Sequence, residues 1–203
     1  MKLHPSLLGY IFYHTGRIFF NRLFRWGWRM EVKGLESIPR EGGLIFASNH
    51  VSNVDPPLVG CCIPRNVHFM AKQELFEIPV FGWVIRQINA FPIKRVERDI
   101  GAFKMAQRIL GSGGTIILFP EGARQKAGRL GRAKAGVGML ARKTGARVVP
   151  VYVHNSDRLG KFQRPGVYFG PPLTALSDDY QAFSNEVMGA IASLKERYGG
   201  PQG

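Results

Sequence analysis

Residues 98–119, RDIGAFKMAQRILGSGGTIILF, join a helix-like stretch to a short β-branched run through a glycine-rich turn. Residues 98–110 predict a helix, and residues 115–119 predict a buried strand. The same alternation recurs along the chain. Further strands are predicted at residues 44–47, 67–70 and 148–153, and further helices at residues 80–88, 133–143 and 178–197. This alternation predicts an α/β fold: a single domain over residues 30–198 whose mixed, largely parallel sheet is flanked by helices.

An apolar and aromatic segment, residues 1–29, precedes this domain and carries arginines but no acidic residue. Arginine combined with tryptophan and phenylalanine is typical of a helix that lies in the headgroup layer of a membrane. Its longest charge-free stretch, residues 3–16, is shorter than the ~20 residues that a spanning helix needs. We therefore predict a membrane-interfacial helical segment, with a tilted or re-entrant insertion and an ordinary packed helix as alternatives. Residues 199–203 predict a flexible tail.

The chain is strongly basic, with 28 lysine and arginine residues, 14 acidic residues and a formal net charge of +14. Such a charge predicts a polyanionic partner, which is a nucleic acid, an anionic bilayer or a phosphorylated substrate. No acidic residue occurs in residues 122–156. The basic residues of this run are Arg124, Lys126, Arg129, Arg132, Lys134, Arg142, Lys143 and Arg147. Residues 122–147 contain no aromatic side chain on which bases could stack, which argues against nucleic-acid binding.

The first candidate site is NHVSNVD, residues 49–55, which directly follows a predicted strand. Strand ends are where α/β folds place ligands. A histidine titrates near neutral pH, so His50 can accept a proton. If Asp55 turns back towards His50, its carboxylate fixes one ring tautomer and stabilises the imidazolium. Taken alone, the spacing also fits an aspartate that only caps the helix begun by Pro56 and Pro57.

A serine nucleophile of the hydrolase type is not evident. The sequence has no Gly-x-Ser-x-Gly, residues 111–113 read as a helix-to-strand turn, and Ser52 lacks the elbow context. If His50 and Asp55 are catalytic, the nucleophile therefore arrives with the substrate. A hydroxyl group that attacks an activated acyl group is the simplest such reaction.

The second candidate site is FPEGAR, residues 119–124, again at the end of a predicted strand. Its Pro and Gly predict a rigid turn that leaves backbone N–H groups pointing outward. Arg124 has a guanidinium suited to phosphate, and Glu121 can accept from hydroxyl groups or orient Arg124. The alternative is a surface ion pair of little energetic value.

Four blocks of the sequence resemble, in the same order, the motifs of the glycerolipid acyltransferase family, especially its bacterial 1-acylglycerol-3-phosphate acyltransferases. The blocks are residues 49–55, 91–95, 119–124 and 149–153. Residues 71–82 also resemble a stretch common between the first two motifs, and the similarity spans about residues 30–175. Four ordered blocks are far more specific than any one of them.

The resemblance implies a reaction in which both substrates are bound together and no acyl-enzyme forms. His50 would be the general base and Asp55 the residue that orients it. The acyl chain would pass from an acyl thioester to the free hydroxyl of a lysophospholipid, converting lysophosphatidic acid to phosphatidic acid. Acylation of another lysolipid, such as a lyso-ornithine lipid or lysocardiolipin, is the alternative. A non-enzymatic basic protein that binds membranes or nucleic acid is a more distant one.

The resemblance also implies a set of substrate-binding residues. The set is Arg95, Glu121, Gly122, Arg124, Lys72 and Lys94. The two arginines would hold the acceptor phosphate, and backbone donors near residues 121–122, with help from Lys72, would meet the oxyanion. Two departures from the family pattern, Lys94 before the second motif's arginine and Ala123 in place of threonine, leave the acceptor headgroup open.

No cofactor and no metal are expected, and the adjacent Cys61 and Cys62 have no spacing that suggests zinc. The implied co-substrate is acyl-CoA or an acyl carrier protein thioester. The implied partners are the lysophospholipid and an anionic membrane surface, and not nucleic acid. The expected location is peripheral or shallowly inserted on the cytoplasmic face of the cell membrane.

Overall fold

The computed structural model describes residues 7–94, 99–126 and 128–200. These residues contain one seven-stranded sheet. Its strands are β1 (Glu31–Lys33), β2 (Leu44–Ser48), β3 (Val67–Lys72), β4 (Ala90–Ile93), β5 (Thr115–Leu118), β6 (Arg147–His154) and β7 (Gly166–Phe169). Across the sheet the order is β1-β7-β6-β2-β5-β3-β4.

The strands from β6 across to β4 run parallel to one another. β2 pairs parallel with β5 and β6, and β3 pairs parallel with β5 and β4. β7 is antiparallel to β6, and β1 runs parallel to β7. The predicted mixed, largely parallel sheet is therefore confirmed. The carboxyl ends of β6, β2, β5, β3 and β4 share one edge of the sheet, whereas β1 and β7 end at the opposite edge.

Helices pack on both faces of the sheet, as predicted. The helices are α1 (Leu7–Arg22), α2 (Asp55–Gly60), α3 (Pro79–Gln87), α4 (Ile100–Gly111), α5 (Gly136–Thr144) and α6 (Tyr180–Tyr198). A π-helical turn, Leu23–Gly27, continues α1, and 3-10 turns lie at Leu35–Ser37, Gln73–Phe76 and Ser156–Lys161.

The central strand β2 is buried along its whole length because it faces two hydrophobic cores. Ala47 points into one core together with Leu140 of α5 and Val187 of α6. Phe46 points into the other core together with Leu58 of α2. Successive side chains of a strand point to opposite faces, so a strand covered on both faces needs the continuous apolar run that β2 has.

Three helices begin later than predicted: α5 begins at Gly136 rather than at residue 133, and the other two begin after an aspartate cap. Asp99 accepts a hydrogen bond from the Ala102 N–H at 2.9 Å, and α4 begins after it rather than at residue 98. Asp179 accepts from the Ala182 N–H at 2.9 Å, and α6 begins after it rather than at residue 178. Aspartate side chains at this position satisfy amides that have no partner within the helix.

The N-terminal segment contains the predicted helix, and α1 is tied to the domain. The Arg17 Nη1 donates to the Ile63 carbonyl at 2.8 Å, and the Asn21 Nδ2 donates to the Cys61 carbonyl at 3.1 Å. The Tyr13 hydroxyl accepts from the Val67 N–H at 2.9 Å. Within the described ranges, no helix is both long enough and apolar enough to cross a bilayer. The predicted tail lies outside the described residues from residue 201 onward.

Close packing of α5 on α6 gives a test of the fold. A Cβ at Gly138 would collide with the Tyr180 carbonyl oxygen. We expect Gly138→Ala to lower the free energy of unfolding by about 1–3 kcal/mol, because backbone must move to admit the methyl group. Gly189 of α6 has open space around it. Gly189→Ala should therefore raise the free energy by up to about 1 kcal/mol through helix propensity. Urea unfolding of both variants checks this, and equal effects would contradict the packing.

Candidate active site

The candidate residues follow strands that end at the same edge of the sheet. His50 comes shortly after β2, and residues 119–124 follow β5, the neighbour of β2. Lys72 ends β3, and Lys94 directly follows β4. Because neighbouring strands lie about 4.8 Å apart, β3 is about 10 Å and β4 about 14 Å from β2. The first two blocks are therefore adjacent, and the two lysines lie progressively farther away.

His50 and Asp55 form a hydrogen-bonded pair. The distance from His50 Nδ1 to Asp55 Oδ2 is 2.8 Å. The Asp55 side chain has no exposed surface, whereas the His50 side chain keeps 17% of its own. An acceptor at Nδ1 favours the tautomer that has its proton there, which leaves Nε2 as the basic nitrogen. No protein group in the described ranges bonds to Nε2, so that nitrogen can serve a ligand.

The loop between β2 and α2 wraps around the Asp55 carboxylate. Asp55 Oδ2 also accepts from the backbone N–H groups of Val51, at 2.7 Å, and Ser52, at 2.8 Å. Val54 is the residue that precedes α2, and no side chain caps this helix. The alternative in which Asp55 only caps the helix is therefore wrong, because its carboxylate turns back onto the loop.

Asn49 anchors the start of this loop on the neighbouring strand β6. Its Nδ2 donates to the Val153 carbonyl at 3.0 Å, and its Oδ1 accepts from the Val153 N–H at 2.7 Å. The side chain is buried, so both bonds are protected from water. Sequence reasoning missed this role, since the partner lies far along the chain.

The segment that follows β5 contacts both the ring and the backbone of His50. The ring of Phe119 stacks on the His50 ring, with centroids 4.0 Å apart and an angle of 20° between the planes. The His50 N–H donates to Glu121 Oε2 at 3.1 Å, and the His50 carbonyl accepts from the Gln125 N–H at 2.8 Å. The stacking fixes the plane of the imidazole ring, and the two hydrogen bonds fix the backbone of His50. This stacking was also not predicted, although Phe119 is the first residue of the FPEGAR sequence at residues 119–124.

Glu121 is a buried residue that joins two loops. Its second oxygen, Oε1, accepts from the Gly131 N–H at 2.9 Å. Burial raises the pKa of the Glu121 carboxyl, and the amide donors of Gly131 and His50 oppose that rise. Both oxygens bond to backbone amides, so the prediction that Glu121 orients Arg124 is wrong. Its role towards a substrate stays a prediction.

The turn at Gly122 presents backbone donors, but not at Gly122 itself. The Gly122 N–H closes the turn onto the Phe119 carbonyl at 2.9 Å. The N–H groups of Ala123 and Arg124 donate to no acceptor in the described part of the chain. The Arg124 side chain is exposed and likewise has no hydrogen bond or ion pair among those residues. A ligand at this turn would therefore meet unpaired N–H groups and one unpaired guanidinium.

Lys72 and Lys94 have no hydrogen bond to His50 in the described part of the chain. Lys72 is half-buried at the end of β3 and Lys94 is exposed. The Lys94 N–H donates to Asp99 Oδ2 at 2.6 Å, which connects β4 to α4. Arg95 lies outside the described residues. The roles of these three residues stay predictions.

The two cysteines lie in the hydrophobic core that also contains Leu58 of α2. Cys61 and Cys62 are buried and free, with their Sγ atoms 4.0 Å apart. The hydrogen bond to Cys61 and burial raise the pKa of the Cys62 thiol well above its usual value. A protonated thiol is a poor nucleophile and a poor ligand. In the ranges that the structure describes, no three or more His, Cys, Asp or Glu side chains are grouped to hold a metal ion.

Residues 29–154 match the sequence profile of the family described as Acyltransferase. The chain belongs to this family. The match contains the loop of His50 and Asp55, the turn of Glu121 and the whole of strand β6. The resemblance drawn from the four ordered blocks is thereby confirmed at the level of the family.

Curated relatives of this acyltransferase-family chain are 1-acyl-sn-glycerol-3-phosphate acyltransferases. The enzyme of Pseudomonas aeruginosa is 28% identical over 196 residues, which cover 87% of this chain and 75% of the relative. That of Streptococcus pneumoniae is 37% identical over 134 residues, covering 64% and 48%. The chloroplastic enzymes of Arabidopsis thaliana and Brassica napus are each 30% identical, and the chain spans only 38% and 42% of their lengths.

The fold of this family member is also similar to a solved structure. The crystal structure of the 1-acyl-sn-glycerophosphate acyltransferase from Thermotoga maritima superposes with a TM-score of 0.75 at 27% identity. The match covers 91% of this chain and 79% of the other. The α/β sheet and its flanking helices are therefore shared with that protein.

The two hydrogen bonds that Glu121 accepts from backbone N–H groups give a test of how the site is held together. Glu121→Gln places an amide NH₂ where one backbone N–H now finds a carboxylate oxygen. We expect the free energy of unfolding to fall by about 1–3 kcal/mol, because a buried amide loses its acceptor. Glu186→Gln on the exposed face of α6 is the matched control and should leave it unchanged. Equal urea midpoints for the two variants would contradict the bridging role of Glu121.

Proposed function

We propose that this protein transfers an acyl chain from an acyl thioester to the free hydroxyl of lysophosphatidic acid, giving phosphatidic acid. One observation carries the proposal: the 2.8 Å bond between His50 Nδ1 and the buried Asp55 carboxylate, which leaves Nε2 to face a ligand. The acceptor and reaction named for the relatives support the same chemistry. The thioester is that of coenzyme A or of an acyl carrier protein.

His50 acts as the general base in this proposal. Nε2 removes the hydroxyl proton as the acceptor oxygen attacks the thioester carbonyl carbon. The oxygen–carbon bond forms, the carbon–sulfur bond breaks, and the departing thiolate takes the proton from Nε2. Asp55 remains ionised and stabilises the imidazolium between the two transfers. Such a base contributes roughly 10²–10⁴-fold to the rate.

The surroundings of His50 support direct transfer without an acyl-enzyme. The backbone N–H of Val54 donates to the Ser52 Oγ at 3.3 Å. No general base bonds to Ser52 within the described ranges, so nothing there activates it as a nucleophile. The two cysteines are buried, and the hydrogen bond to Cys61 and burial raise the pKa of the Cys62 thiol. The attacking oxygen therefore belongs to the acceptor, and the site works by holding two substrates side by side.

The turn after β5 supplies the oxyanion and phosphate interactions. The unpaired N–H groups of Ala123 and Arg124 lie in the segment that stacks on and bonds to His50. Donors that are already oriented stabilise a developing oxyanion without reorganisation. The Arg124 guanidinium has the fork geometry that suits a phosphate monoester. Arg95 and Lys94 add positive charge from β4 in this proposal.

An exposed apolar surface supports a membrane location, which we propose is the cytoplasmic face of the cell membrane. On α1 and the π-turn the exposed apolar side chains include Leu7, Ile11, Phe19 and Trp26, the last 82% exposed. On α3 they are Val80, Phe81 and Trp83. The rings of Phe12 and Trp83 meet edge to face at 5.4 Å, so the two exposed faces are neighbours.

Charge at the end of this surface favours an anionic bilayer. Arg22, Arg25 and Arg29 are exposed beside the apolar side chains. Arginines at the rim of an apolar face meet lipid phosphates while the apolar side chains enter the headgroup layer. We infer that the protein is peripheral or shallowly inserted there.

The role of His50 is tested with His50→Gln. Glutamine can still donate to Asp55 but cannot accept the hydroxyl proton, so turnover of lysophosphatidic acid should fall at least ~100-fold. His68→Gln is the matched control, because His68 bonds to the Thr115 carbonyl within the sheet and away from the site. Product is measured with one labelled thioester and a panel of lysolipid acceptors. More than about 5% residual activity would refute the role of His50 as general base. Preference for another lysolipid would refute lysophosphatidic acid as the acceptor.

Membrane binding is tested with the double variant Phe19→Glu and Val80→Glu. Each change replaces an exposed apolar side chain with a charge that anionic lipids repel. We expect partition onto vesicles that contain phosphatidylglycerol to fall on the order of 100-fold, because two apolar side chains that would be buried in the membrane are lost. Leu176→Glu changes an equally exposed apolar residue away from α1 and α3 and should bind normally. Undiminished vesicle binding by the double variant would contradict the proposal that this surface binds the membrane.

A further inference from the structure

Lys134 lies against the turn that follows β5. Its backbone N–H donates to the Pro120 carbonyl at 2.9 Å. A Cβ placed on Gly122 would lie 2.8 Å from Lys134 Cε and 2.9 Å from Lys134 Nζ. The end of the lysine side chain therefore passes over the Gly122 backbone, where any side chain at residue 122 would displace it.

This turn is the same one that holds His50. Phe119 stacks on the His50 ring, and Glu121 accepts from the His50 N–H. Lys134 contacts the same turn at Pro120 and Gly122. The ammonium group therefore lies beside Gly122, in the turn whose neighbouring residues contact His50 and whose Ala123 and Arg124 N–H groups have no acceptor in the described ranges.

The ammonium group has no anionic partner in the described part of the chain. Residues 122–156 contain no acidic residue, and Glu121 uses both oxygens for the amides of His50 and Gly131. Lys134 is exposed, so water is its present environment. A positive charge placed at a turn with unpaired N–H groups favours an anion.

The fold separates Lys134 from the end of its basic run. Arg142 pairs with Asp178 at 2.8 Å, and Arg147 donates to the Glu41 carbonyl at 3.1 Å. Lys143 lies in the last turn of α5, which leads into the amino end of β6. These cations lie near the edge of the sheet opposite His50. Lys134, which precedes α5, remains at the His50 edge.

We propose that Lys134 binds the phosphate of the acceptor, as a point charge beside the guanidinium of Arg124. This rests on the proposed function, because it assigns a residue to the headgroup of that acceptor. A lysine ammonium satisfies a phosphate from several directions, whereas the arginine fork fixes its orientation. The two together hold the headgroup while the hydroxyl reaches His50. Glycine at residue 122 then has a second role beside its φ of 71°, because it leaves room for the ammonium.

The test is a binding measurement that does not depend on turnover. The ligand is lysophosphatidic acid in detergent micelles, bound to full-length protein that carries His50→Gln. Adding Lys134→Met should weaken binding about 10- to 100-fold, the range for losing a charged hydrogen bond. Lys134→Arg should stay within about threefold, since the charge is kept. Lys143→Met removes an equal charge from the far end of the same run and should bind normally.

A second ligand separates phosphate binding from binding of the rest of the molecule. Monoacylglycerol has the same acyl chain and hydroxyl groups but no phosphate. Lys134→Met should leave its affinity unchanged. An equal loss for both ligands, or no loss for lysophosphatidic acid, would overturn the assignment.

Kinetics in the active protein distinguish a phosphate-binding residue from one that stabilises the oxyanion. Lys134→Met should raise the KM for lysophosphatidic acid with little change in kcat. A fall in kcat at constant KM would overturn the phosphate assignment. Absence of wild-type turnover would defeat the proposed function, yet the binding data would still decide whether Lys134 holds the phosphate.

Gly122→Ala tests the contact itself. The new methyl group should displace the ammonium and weaken lysophosphatidic acid binding, but only where Lys134 is present. In the Lys134→Met background the same change should have little further effect, which is a measurable coupling. Gly145→Ala controls for backbone strain, because Gly145 has a φ of 66° against 71° at Gly122 but open space around it. Additive effects of the two substitutions would contradict the contact.

Discussion

The structure of the site depends on the buried carboxylate of Asp55. A charge with no exposed surface is costly unless hydrogen bonds replace the water it has lost. The Asp55 Oδ2 accepts from the His50 ring and from two backbone amides, whereas Oδ1 has no protein donor in the ranges described. All compensation therefore lies on the oxygen that faces His50. The loop after β2 has its shape because that oxygen must collect three donors at once.

Much of the fold was predictable because apolar runs and turn residues report burial directly. β2, β3, β5 and β6 were each predicted to within a few residues, since central strands are apolar on both faces. β1 and β7 were not predicted. They are three and four residues long, and their pairing with each other and with β6 stabilises them more than their own sequence does. The helices capped by Asp99 and Asp179 begin two residues later than predicted, and hydrophobic periodicity cannot locate a helix start that closely.

The site was predictable only where chemistry and short spacing coincide. His50 and Asp55 share one loop, so their pairing could be inferred from residue types. The true partners of Glu121, the amides of His50 and Gly131, come from two separate loops and have no side-chain signature. The contact of Lys134 with Gly122 is of the same kind, because only the folded chain shows which cation of the basic run reaches the turn.

One short helix connects the exposed apolar surface that is proposed to meet the membrane with the His50–Asp55 pair that is proposed to be catalytic. α1 bonds through Arg17 and Asn21 to the residues that end and follow α2, and Asp55 is the first residue of α2. A helix of six residues is about 9 Å long. His50 bonds to the first residue of this helix, and α1 bonds to residues just beyond its last one. In the proposed function, a lysolipid must bring its hydroxyl to Nε2 while its acyl chain stays among the lipids. Rigid attachment of α1 to α2 matters for this reason: a loosely tethered helix would bind the membrane equally well but would leave the height of His50 undefined.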